Sequence, residues 1–269
     1  MRILSIVSGI PPYHQGGNNV LASLILDALA KLGHDVNVLV VNSQCVRMEN
    51  EKRGSLNIFK VSEKEKPCLE EKYDLIVLFE ALPHNKIKKL KLFKYSKLIY
   101  FWLFSFERYR RLFKITFDIE KYLDWERNVI SLSDLIIFPT EDEMKWNIEN
   151  HTSSICEKEC FVLPHPILPF KKVITNNSLS SKIKVGIPGR IDDPMKGANT
   201  VLSAIYELHE NARSKFHFYF IGSKDGRLHI PDSLKGITVI PWFSDLNDFE
   251  SFIQNMDLVV CASRYEPFG

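Results

Sequence analysis

The sequence has no long hydrophobic run and little net charge, and both absences exclude classes of protein. Its longest apolar run, LIYFWLF at 98–104, has seven residues, whereas a membrane-spanning helix needs roughly 20. The formal net charge is +2 over 269 residues, which gives no support for a nucleic-acid partner. The apolar N-terminus runs into two prolines without a small-residue cleavage site, so it favours a buried strand over a signal peptide.

Cysteine is also scarce. The five cysteines (45, 68, 156, 160 and 261) form an odd, scattered set, which is typical of reduced thiols in a cytoplasmic protein. Cys156 and Cys160 have the spacing of one helical turn, but a structural zinc site needs four ligands. We therefore predict a cytoplasmic protein with no metal site.

Short apolar runs alternate with amphipathic segments along the whole chain. They are rich in branched and aromatic residues, as expected of strands buried on both faces of a parallel sheet. In the first part of the chain they lie at 3–8, 36–41, 74–79, 97–102, 134–138 and 160–163. Between the first two, apolar residues recur at helical spacing over 20–32, with Asn18 or Asn19 as the cap and Gly33 just past the end. This is the pattern of a β-α-β unit.

A polar stretch rich in Ser and Asn, FKKVITNNSLSSK at 170–182, interrupts this alternation. Strands then follow at 183–187, 216–222, 237–242 and 257–263, with helices at 200–212 and 246–256. We predict an α/β protein in which two Rossmann-like, doubly wound parallel-sheet domains face a cleft. The predicted domains are 1–172 and 183–269, joined by a linker at 173–182. The second is expected to be incomplete, because no helix follows its last strand.

Three polar stretches fall at predicted strand ends, where open α/β sheets bind ligands. In the first, SGIPPYHQGGNN at 8–19, Gly16 and Gly17 would let backbone amides approach an anion at a helix N-terminus. The glycine spacing is not that of the dinucleotide-binding fingerprint. A plain flexible turn explains this loop equally well.

The second stretch, GIPGRIDDPMKGANT at 186–200, places two cations at one strand-to-helix crossing. Arg190 can donate two hydrogen bonds to phosphate oxygens, and Lys196 adds a point charge. The alternative is a pair of solvated surface charges, but the flanking glycines favour a phosphate site. In the third stretch, SRYEPFG at 263–269, Glu266 could bond sugar hydroxyls and the Gly269 amide could donate to a phosphate. An ordinary turn with a structural Glu is its alternative.

Taken together and in order, these motifs resemble the GT-B nucleotide-sugar glycosyltransferases, in particular the large retaining group called glycosyltransferase family 4 (group 1). The matching motifs are Pro11-Pro12 with Gly16-Gly17, GHDV at 33–36, GRIDDPMKGANTVLSAIYEL from 189, and SRYEPFG at 263–269. SDLIIFPTEDE and FVLPHPI also stand where that family has corresponding steps. The resemblance covers the whole chain.

The resemblance implies a hexosyltransferase that moves a sugar from a nucleoside diphosphate (NDP) sugar to a glycan or lipid-linked glycan, in polysaccharide biosynthesis. It implies that Arg190 and Lys196 stabilise the departing diphosphate and that Glu266 orients the donor sugar. Tyr265, Phe268 and Gly269 would shape the sugar pocket. No Asp-x-Asp occurs in the sequence, so the usual ligands of a diphosphate-bridging metal are absent. We expect metal independence and no cofactor beyond the NDP-sugar substrate.

Two departures from the family pattern affect this expectation. The family's second glutamate would lie beyond Gly269, so the chain resembles a member cut off within its donor site. Many members also carry a His after the strand matching KLIYFW, where this chain reads LFSFER. His14 or His84 could reach the cleft from other loops, although surface positions are their default interpretation.

Two further expectations concern partners. Residues 86–114 interleave basic and aromatic side chains, which suits an anionic membrane surface at the inner face of the membrane or a lipid-linked acceptor. A buried strand flanked by solvated cations is the simpler interpretation. The alternative function is an inactive glycosyltransferase-like subunit whose incomplete second sheet is covered by a protein partner. Sugar-nucleotide epimerases share the architecture, but the EPFG motif argues against them.

Overall fold

The chain folds into two compact units, one built from Met1–Ile167 with Pro267–Gly269 and the other from Leu168–Glu266. A computed structural model describes residues 1–11, 17–41, 51–60, 72–81, 97–114, 119–151, 155, 157–166, 182–191, 193–223, 230, 234–241, 243 and 246–267. Both units are α/β structures with a mainly or wholly parallel sheet. The predicted fold class is confirmed.

The first unit contains an eight-stranded sheet. Its strands are β1 (Arg2–Val7), β2 (Asp35–Val40), β3 (Glu51–Arg53), β4 (Leu56–Lys60), β5 (Leu75–Leu78), β6 (Lys97–Phe101), β7 (Leu135–Phe138) and β8 (Glu159–Val162). They lie in the order β3-β4-β2-β1-β5-β6-β7-β8. All neighbours are parallel except β3 and β4, which pair antiparallel.

Helices cover both faces of this sheet. They are α1 (Gly17–Lys31), α2 (Phe106–Phe113), α3 (Glu120–Leu132) and α4 (Glu141–Asn150). Successive side chains of a strand point to opposite faces, and β1 shows the consequence. Ile3 and Val7 pack in one core with Leu26 of α1, while Leu4 and Ile6 pack in the other with residues of α3. A strand buried on both faces has no polar alternation, which explains the continuous apolar runs.

The second unit contains a four-stranded parallel sheet of order β11-β10-β9-β12. The strands are β9 (Ile183–Pro188), β10 (Phe216–Ser223), β11 (Ile237–Pro241) and β12 (Leu258–Val259). A 3-10 turn (Pro194–Lys196) precedes α5 (Ala198–Glu207), α6 (Glu210–Arg213) and α7 (Leu246–Gln254). Its core packs Phe218 and Phe220 of the central strand against Val201 and Ile205 of α5.

The predicted strands match the observed ones to within a few residues, with two differences elsewhere. The hairpin of β3 and β4 was not predicted, because Glu51-Lys52-Arg53 has no apolar residue and is held only by pairing at the sheet edge. The helix predicted at 200–212 is wrong in its length, because Leu208 is extended (φ −65°, ψ 132°) and ends α5. The predicted domain limits stay a prediction, since residues 167–181 lie outside the described residues.

Candidate functional site

The loop after β9 is a compact turn whose residues are suited to their positions. The Asp193 side chain accepts a hydrogen bond from the Met195 amide at 2.9 Å and so caps the 3-10 turn, which begins with a proline. Gly197 ends that turn at φ +68° and starts α5. The sequence Asp-Pro-Met-Lys-Gly thus folds locally into a turn that presents Lys196.

The segment after β12 packs onto this turn, because β12 and β9 are neighbours in the sheet and their carboxyl ends lie together. The Arg264 amide donates to the Met195 carbonyl at 2.8 Å. The backbones approach so closely that a Cβ on Gly197 would lie 2.0 Å from the Ala262 carbonyl oxygen. Only glycine fits there.

The packing brings two of the residues predicted to carry the chemistry, Lys196 and Glu266, into contact, while the third, Arg190, is paired with Asp193. Lys196 Nζ lies 2.5 Å from Glu266 Oε1, and the Ser263 hydroxyl donates to the same oxygen at 2.7 Å. Arg190 Nη2 lies 2.6 Å from Asp193 Oδ2. Lys196 and Glu266 are part-buried, at 23% and 29% side-chain exposure. The site therefore holds two cations and two carboxylates at one edge of the sheet.

The structure describes only some of the remaining predicted site residues. Tyr265 is buried, with only 6% exposure. Gly17 is the first residue of α1 in the first unit. Gly16, Phe268 and Gly269 lie outside the described residues. The sequence analysis did not predict roles for Asp193 and Ser263. Their positions in the same motifs as Arg190 and Glu266 were the signal that could have identified them.

At the carboxyl edge of the first sheet, the loop after β1 is held by two distant residues. Glu80, after β5, accepts a hydrogen bond from the Ser8 amide. Arg53 donates to the Pro11 carbonyl at 2.8 Å. The start of the predicted glycine loop is therefore fixed, while residues 12–16 lie outside the described residues.

Below the loop that follows β6, the first unit buries an ionisable group that the sequence analysis missed. Glu126 of α3 has no exposed surface, and its Oε1 accepts hydrogen bonds from Trp102 Nε1 (3.1 Å) and the Phe106 amide (3.2 Å). Burial raises the pKa of Glu126 to about 8, although these two hydrogen bonds lower it in part. Its other oxygen, Oε2, has no hydrogen-bond partner among the described residues.

The sequence contained a signal for the buried Glu126. The buried residues of α3 are Leu123, Glu126, Val129 and Ile130, so the glutamate falls within the apolar stripe of the helix. Through Glu126, the helix holds the loop from Trp102 to Phe106 in place. Burial, followed by the charges of Glu126 and Glu80, also raises the pKa of Tyr100 well above its ordinary value.

Six half-buried aromatic rings form a continuous chain over α2 and α3. Adjacent centroids are 4.9–5.3 Å apart, in the order Phe113, Tyr109, Phe104, Phe106, Tyr122, Trp125. Lys121 Nζ lies 4.9 Å from the centroid of the Trp125 ring, and Leu112 beside the chain is 46% exposed. Four of the rings, those of Phe104, Phe106, Tyr109 and Phe113, belong to the basic and aromatic segment predicted at 86–114, while Tyr122 and Trp125 lie beyond it. Residues 86–96 lie outside the described residues.

The arginines of α2 are engaged by carboxylates. Glu107 accepts from Arg110 and Arg111, each at 2.7 Å, and Arg108 pairs with Asp142 and Glu143, also at 2.7 Å. Burial raises the pKa of Glu107, but the hydrogen bonds from the two arginines outweigh it, and the pKa is lowered. The cations of α2 are therefore bound in a defined network.

Over the described ranges, no group of three or more His, Cys, Asp or Glu residues is placed to hold a metal ion. No helix in the described part of the chain is long and apolar enough to cross a membrane.

Comparison with known proteins defines the class to which this architecture belongs. Residues 182–269 match the family model of glycosyl transferases, group 1. No curated protein sequence matches the chain. Among solved structures, sucrose-phosphate synthase from Thermosynechococcus elongatus superposes with a TM-score of 0.71 at 14% identity, covering 100% of this chain and 77% of the other.

Two more solved structures show the same architecture. WaaG, a glycosyltransferase involved in lipopolysaccharide biosynthesis, has a TM-score of 0.71 at 16% identity, covering 98% of this chain and 76% of that chain. Anabaena HepE, solved with UDP and glucose, has a TM-score of 0.67 at 13% identity, covering 100% and 76%. The chain has the GT-B fold, and its predicted resemblance to group 1 glycosyltransferases is confirmed.

Proposed function

We propose that this chain is a retaining glycosyltransferase, of the hexosyltransferase kind, that transfers a sugar from an NDP-sugar to a glycan or a lipid-linked glycan in polysaccharide biosynthesis. The observation that carries the proposal is the cluster of Arg190, Lys196 and Glu266 at adjacent strand ends of the second unit. This cluster lies within the segment that matches the group 1 glycosyl transferases. HepE, with UDP and glucose bound, has the same fold.

The proposed sugar transfer depends on the charges of the site. The bond between the anomeric carbon and the diphosphate oxygen breaks while a bond to the acceptor oxygen forms, so negative charge develops on the diphosphate, which accepts the proton that the acceptor hydroxyl loses. Arg190 and Lys196 supply fixed positive charge there, which stabilises the transition state more than the ground state. Glu266 would accept hydrogen bonds from the donor sugar. The proposal that Tyr265, Phe268 and Gly269 contribute to the sugar pocket rests on the SRYEPFG motif alone.

Gly16 and Gly17 remain proposed substrate-binding residues: Gly17 is the first residue of α1, and the N-terminus of a helix favours an anion. Two fixed cations can do the work that a divalent ion does in metal-dependent transferases. We therefore propose a metal-independent reaction without a cofactor. Activity unchanged by a chelator is the expected result, and activity restored only by a divalent ion would contradict it.

Nucleotide binding tests the donor site directly. Thermal stability would be measured with UDP, GDP, ADP and their sugars, and the matching nucleotide should stabilise the second unit by about 2.7 kcal/mol at a hundredfold excess over its Kd. Lys196→Ala should weaken binding at least tenfold, about 1.4 kcal/mol. Exposed Lys235→Ala is the matched control. A folded chain that binds none of these nucleotides would refute the donor site.

We propose the cytoplasm as the location, with the inner face of the membrane as a contact surface for a lipid-linked acceptor. The aromatic chain, exposed Leu112 and the cations Lys114 and Lys121 support this surface. Sedimentation with anionic phosphatidylserine vesicles should show binding that weakens with salt. The pair Leu112→Ser and Lys121→Ala should reduce it, and Lys145→Ala, on exposed α4 surface, should not. No binding would remove this part of the proposal.

A second function is favoured by the edge of the second sheet. Leu258, Val259 and Val260 are 52%, 44% and 37% exposed in succession, and such apolar edges are typical protein contacts. An inactive glycosyltransferase-like subunit would use this edge to bind a partner protein. A chain that binds no nucleotide yet self-associates until Leu258→Lys is introduced would favour this function over catalysis. A monodisperse chain with donor binding would exclude it.

A further inference from the structure

Glu126 fixes the loop between β6 and α2 through two donors that meet one of its oxygens. Oε1 accepts from the Trp102 indole N–H at 3.1 Å and from the Phe106 amide at 3.2 Å. Phe106 is the first residue of α2, where a backbone N–H has no partner within the helix. The carboxyl group of α3 thus holds both ends of the loop from Trp102 to Phe106.

The second oxygen of Glu126, Oε2, decides in which form the residue can do this. The side chain has no exposed surface, and no donor reaches Oε2 within the part of the chain that the structure describes. Because Oε1 accepts two N–H bonds, the proton of the neutral acid lies on Oε2. Ionisation would leave a buried negative charge with one oxygen unsolvated, which is costly unless water enters. The closed loop therefore favours the neutral acid, in agreement with a pKa that burial raises to about 8.

The loop also carries the central link of the aromatic chain on the first unit. Phe104 contacts Phe106 edge-on, with ring centroids 5.1 Å apart. Phe104 continues to Tyr109 of α2, and Phe106 stacks on Tyr122 of α3. If the loop opens, the α2 half of the chain of rings separates from the α3 half. The order of this surface therefore depends on Glu126.

The elements packed around Glu126 contribute four other charged or titratable groups. After burial and the two hydrogen bonds, Glu107 of α2 raises the pKa of Glu126 and Arg127 of α3 lowers it. Tyr100 lies on β6, and His151, which ends α4, contacts the indole ring that donates to Glu126. Burial raises the pKa of Tyr100 and lowers that of His151, and hydrogen bonds from two arginines lower the pKa of Glu107 against the effect of burial. Of these groups, Glu126 is the one that changes charge between pH 6.5 and 8.5.

We propose that Glu126 is a proton-dependent positioning residue, which holds the Trp102–Phe106 loop and the aromatic chain as a neutral acid and loosens both when it ionises. Opening lets water reach the carboxylate, so the open form binds the proton less tightly than the closed form. Opening is therefore hardest below pH 4.5 and becomes easier as pH rises to about 8. The use of these rings as a membrane contact rests on the proposed function, whereas the dependence of the loop on pH does not.

Amide hydrogen exchange, measured by NMR on the whole chain, tests the loop directly. The open fraction reported by the Phe106 amide should rise about tenfold per pH unit between pH 6.5 and 7.5, beyond the rise of the intrinsic exchange rate. Glu126→Gln keeps an oxygen for both donors but does not ionise, so it should remove this rise.

The Leu98 amide, at the start of β6, is the matched control within the same unit. The Asp134 carboxylate accepts from this amide at 2.8 Å. Hydrogen bonds from the Leu98 amide and Lys97 lower the pKa of Asp134 against the effect of burial, so this carboxylate stays ionised over the range. The open fraction at Leu98 should therefore stay constant.

Vesicle binding tests the consequence for the surface. With a pKa of about 8, about a quarter of the molecules keep the Glu126 proton at pH 8.5, against nearly all at pH 6.5. Binding of the wild type to phosphatidylserine vesicles at constant salt should therefore weaken about fourfold between these pH values. Glu126→Gln should bind equally at both, whereas Glu149→Gln, at an exposed position of α4, should behave as the wild type.

The outcomes separate this inference from the membrane contact. The inference is overturned if the wild-type Phe106 amide follows the Leu98 amide, or if Glu126→Gln keeps the rise. Equal vesicle binding of the wild type at both pH values overturns the control of the surface by Glu126. If no vesicle binding occurs at either pH, the membrane contact is refuted, and the exchange of Phe106 still decides whether Glu126 holds the loop. If Glu126→Gln does not fold, the wild-type comparison of Phe106 with Leu98 decides.

Discussion

Replacing Glu126 by glutamine should change how the stability of the first unit depends on pH. In the folded chain the pKa of this buried carboxyl is about 8, against an ordinary value of 4.5. The folded state therefore binds the proton more tightly than the unfolded state does. The contribution of Glu126 to stability is fully present below pH 4.5 and is lost as pH rises through the folded pKa.

The magnitude follows from that difference in pKa. About 3.5 pH units at 1.36 kcal/mol each correspond to about 5 kcal/mol between pH 4.5 and 8. The amide of Glu126→Gln does not ionise, and its oxygen can still accept from Trp102 Nε1 and the Phe106 amide. The difference in unfolding free energy between variant and wild type should therefore move in favour of the variant by about 3 kcal/mol between pH 5.5 and 8.

Urea unfolding followed by tryptophan fluorescence is the appropriate assay. Of the four tryptophans, Trp102, Trp125 and Trp146 lie in the first unit. Other titrating groups, including neighbouring Glu107, are common to both proteins and cancel in the difference. Glu149→Gln, at an exposed position of α4, controls for the loss of a carboxylate. If the difference in unfolding free energy between variant and wild type changes by less than about 1 kcal/mol between pH 5.5 and 8, the raised pKa of buried Glu126 is refuted.

Two further predictions follow from local geometry. Gly197→Ala should destabilise the second unit by about 2–3 kcal/mol or more, because its Cβ would lie 2.0 Å from the Ala262 carbonyl oxygen. Its control is Gly54→Ala, at φ +58° with open space around it. That change should cost only about 1–2 kcal/mol of backbone strain. Amide hydrogen exchange resolved by unit distinguishes them, and equal costs would contradict the packing argument. Trp102→Phe should lower the unfolding free energy of the first unit by about 1–3 kcal/mol, because the buried Glu126 loses a donor. Half-buried Trp125→Phe is its control, and equal losses in urea unfolding would refute the role of the indole N–H.

The fold was largely predictable because its signals are local. Strands buried on both faces of a parallel sheet are mostly apolar, and β1, β2, β9 and β10 have mostly branched or aromatic residues without regular polar alternation. The hairpin of β3 and β4 was not predictable in this way, because an edge strand such as Glu51-Lys52-Arg53 draws its stability from pairing and not from its own composition.

The candidate site, like the fold, was predictable from the sequence only in part. The motifs gave the identities of Arg190, Lys196 and Glu266, and Asp193 and Gly197 shape their turn through caps that depend only on neighbouring residues. The partners of these side chains required the tertiary structure. The buried acid Glu126 is a similar case, since its raised pKa arises from the groups packed around it.

The sequence by itself determined most of the strands and helices, and which residue types stand at the strand ends, because periodicity, caps and turns are set within a few residues. Only the tertiary structure decided that Lys196 meets Glu266, 70 residues further along the chain. These two lie together because β12 pairs with β9 in the sheet order, although it is the last strand of the unit and β9 is the first. Sheet order depends on how all the elements bury their apolar faces together, and no short stretch of sequence contains that information.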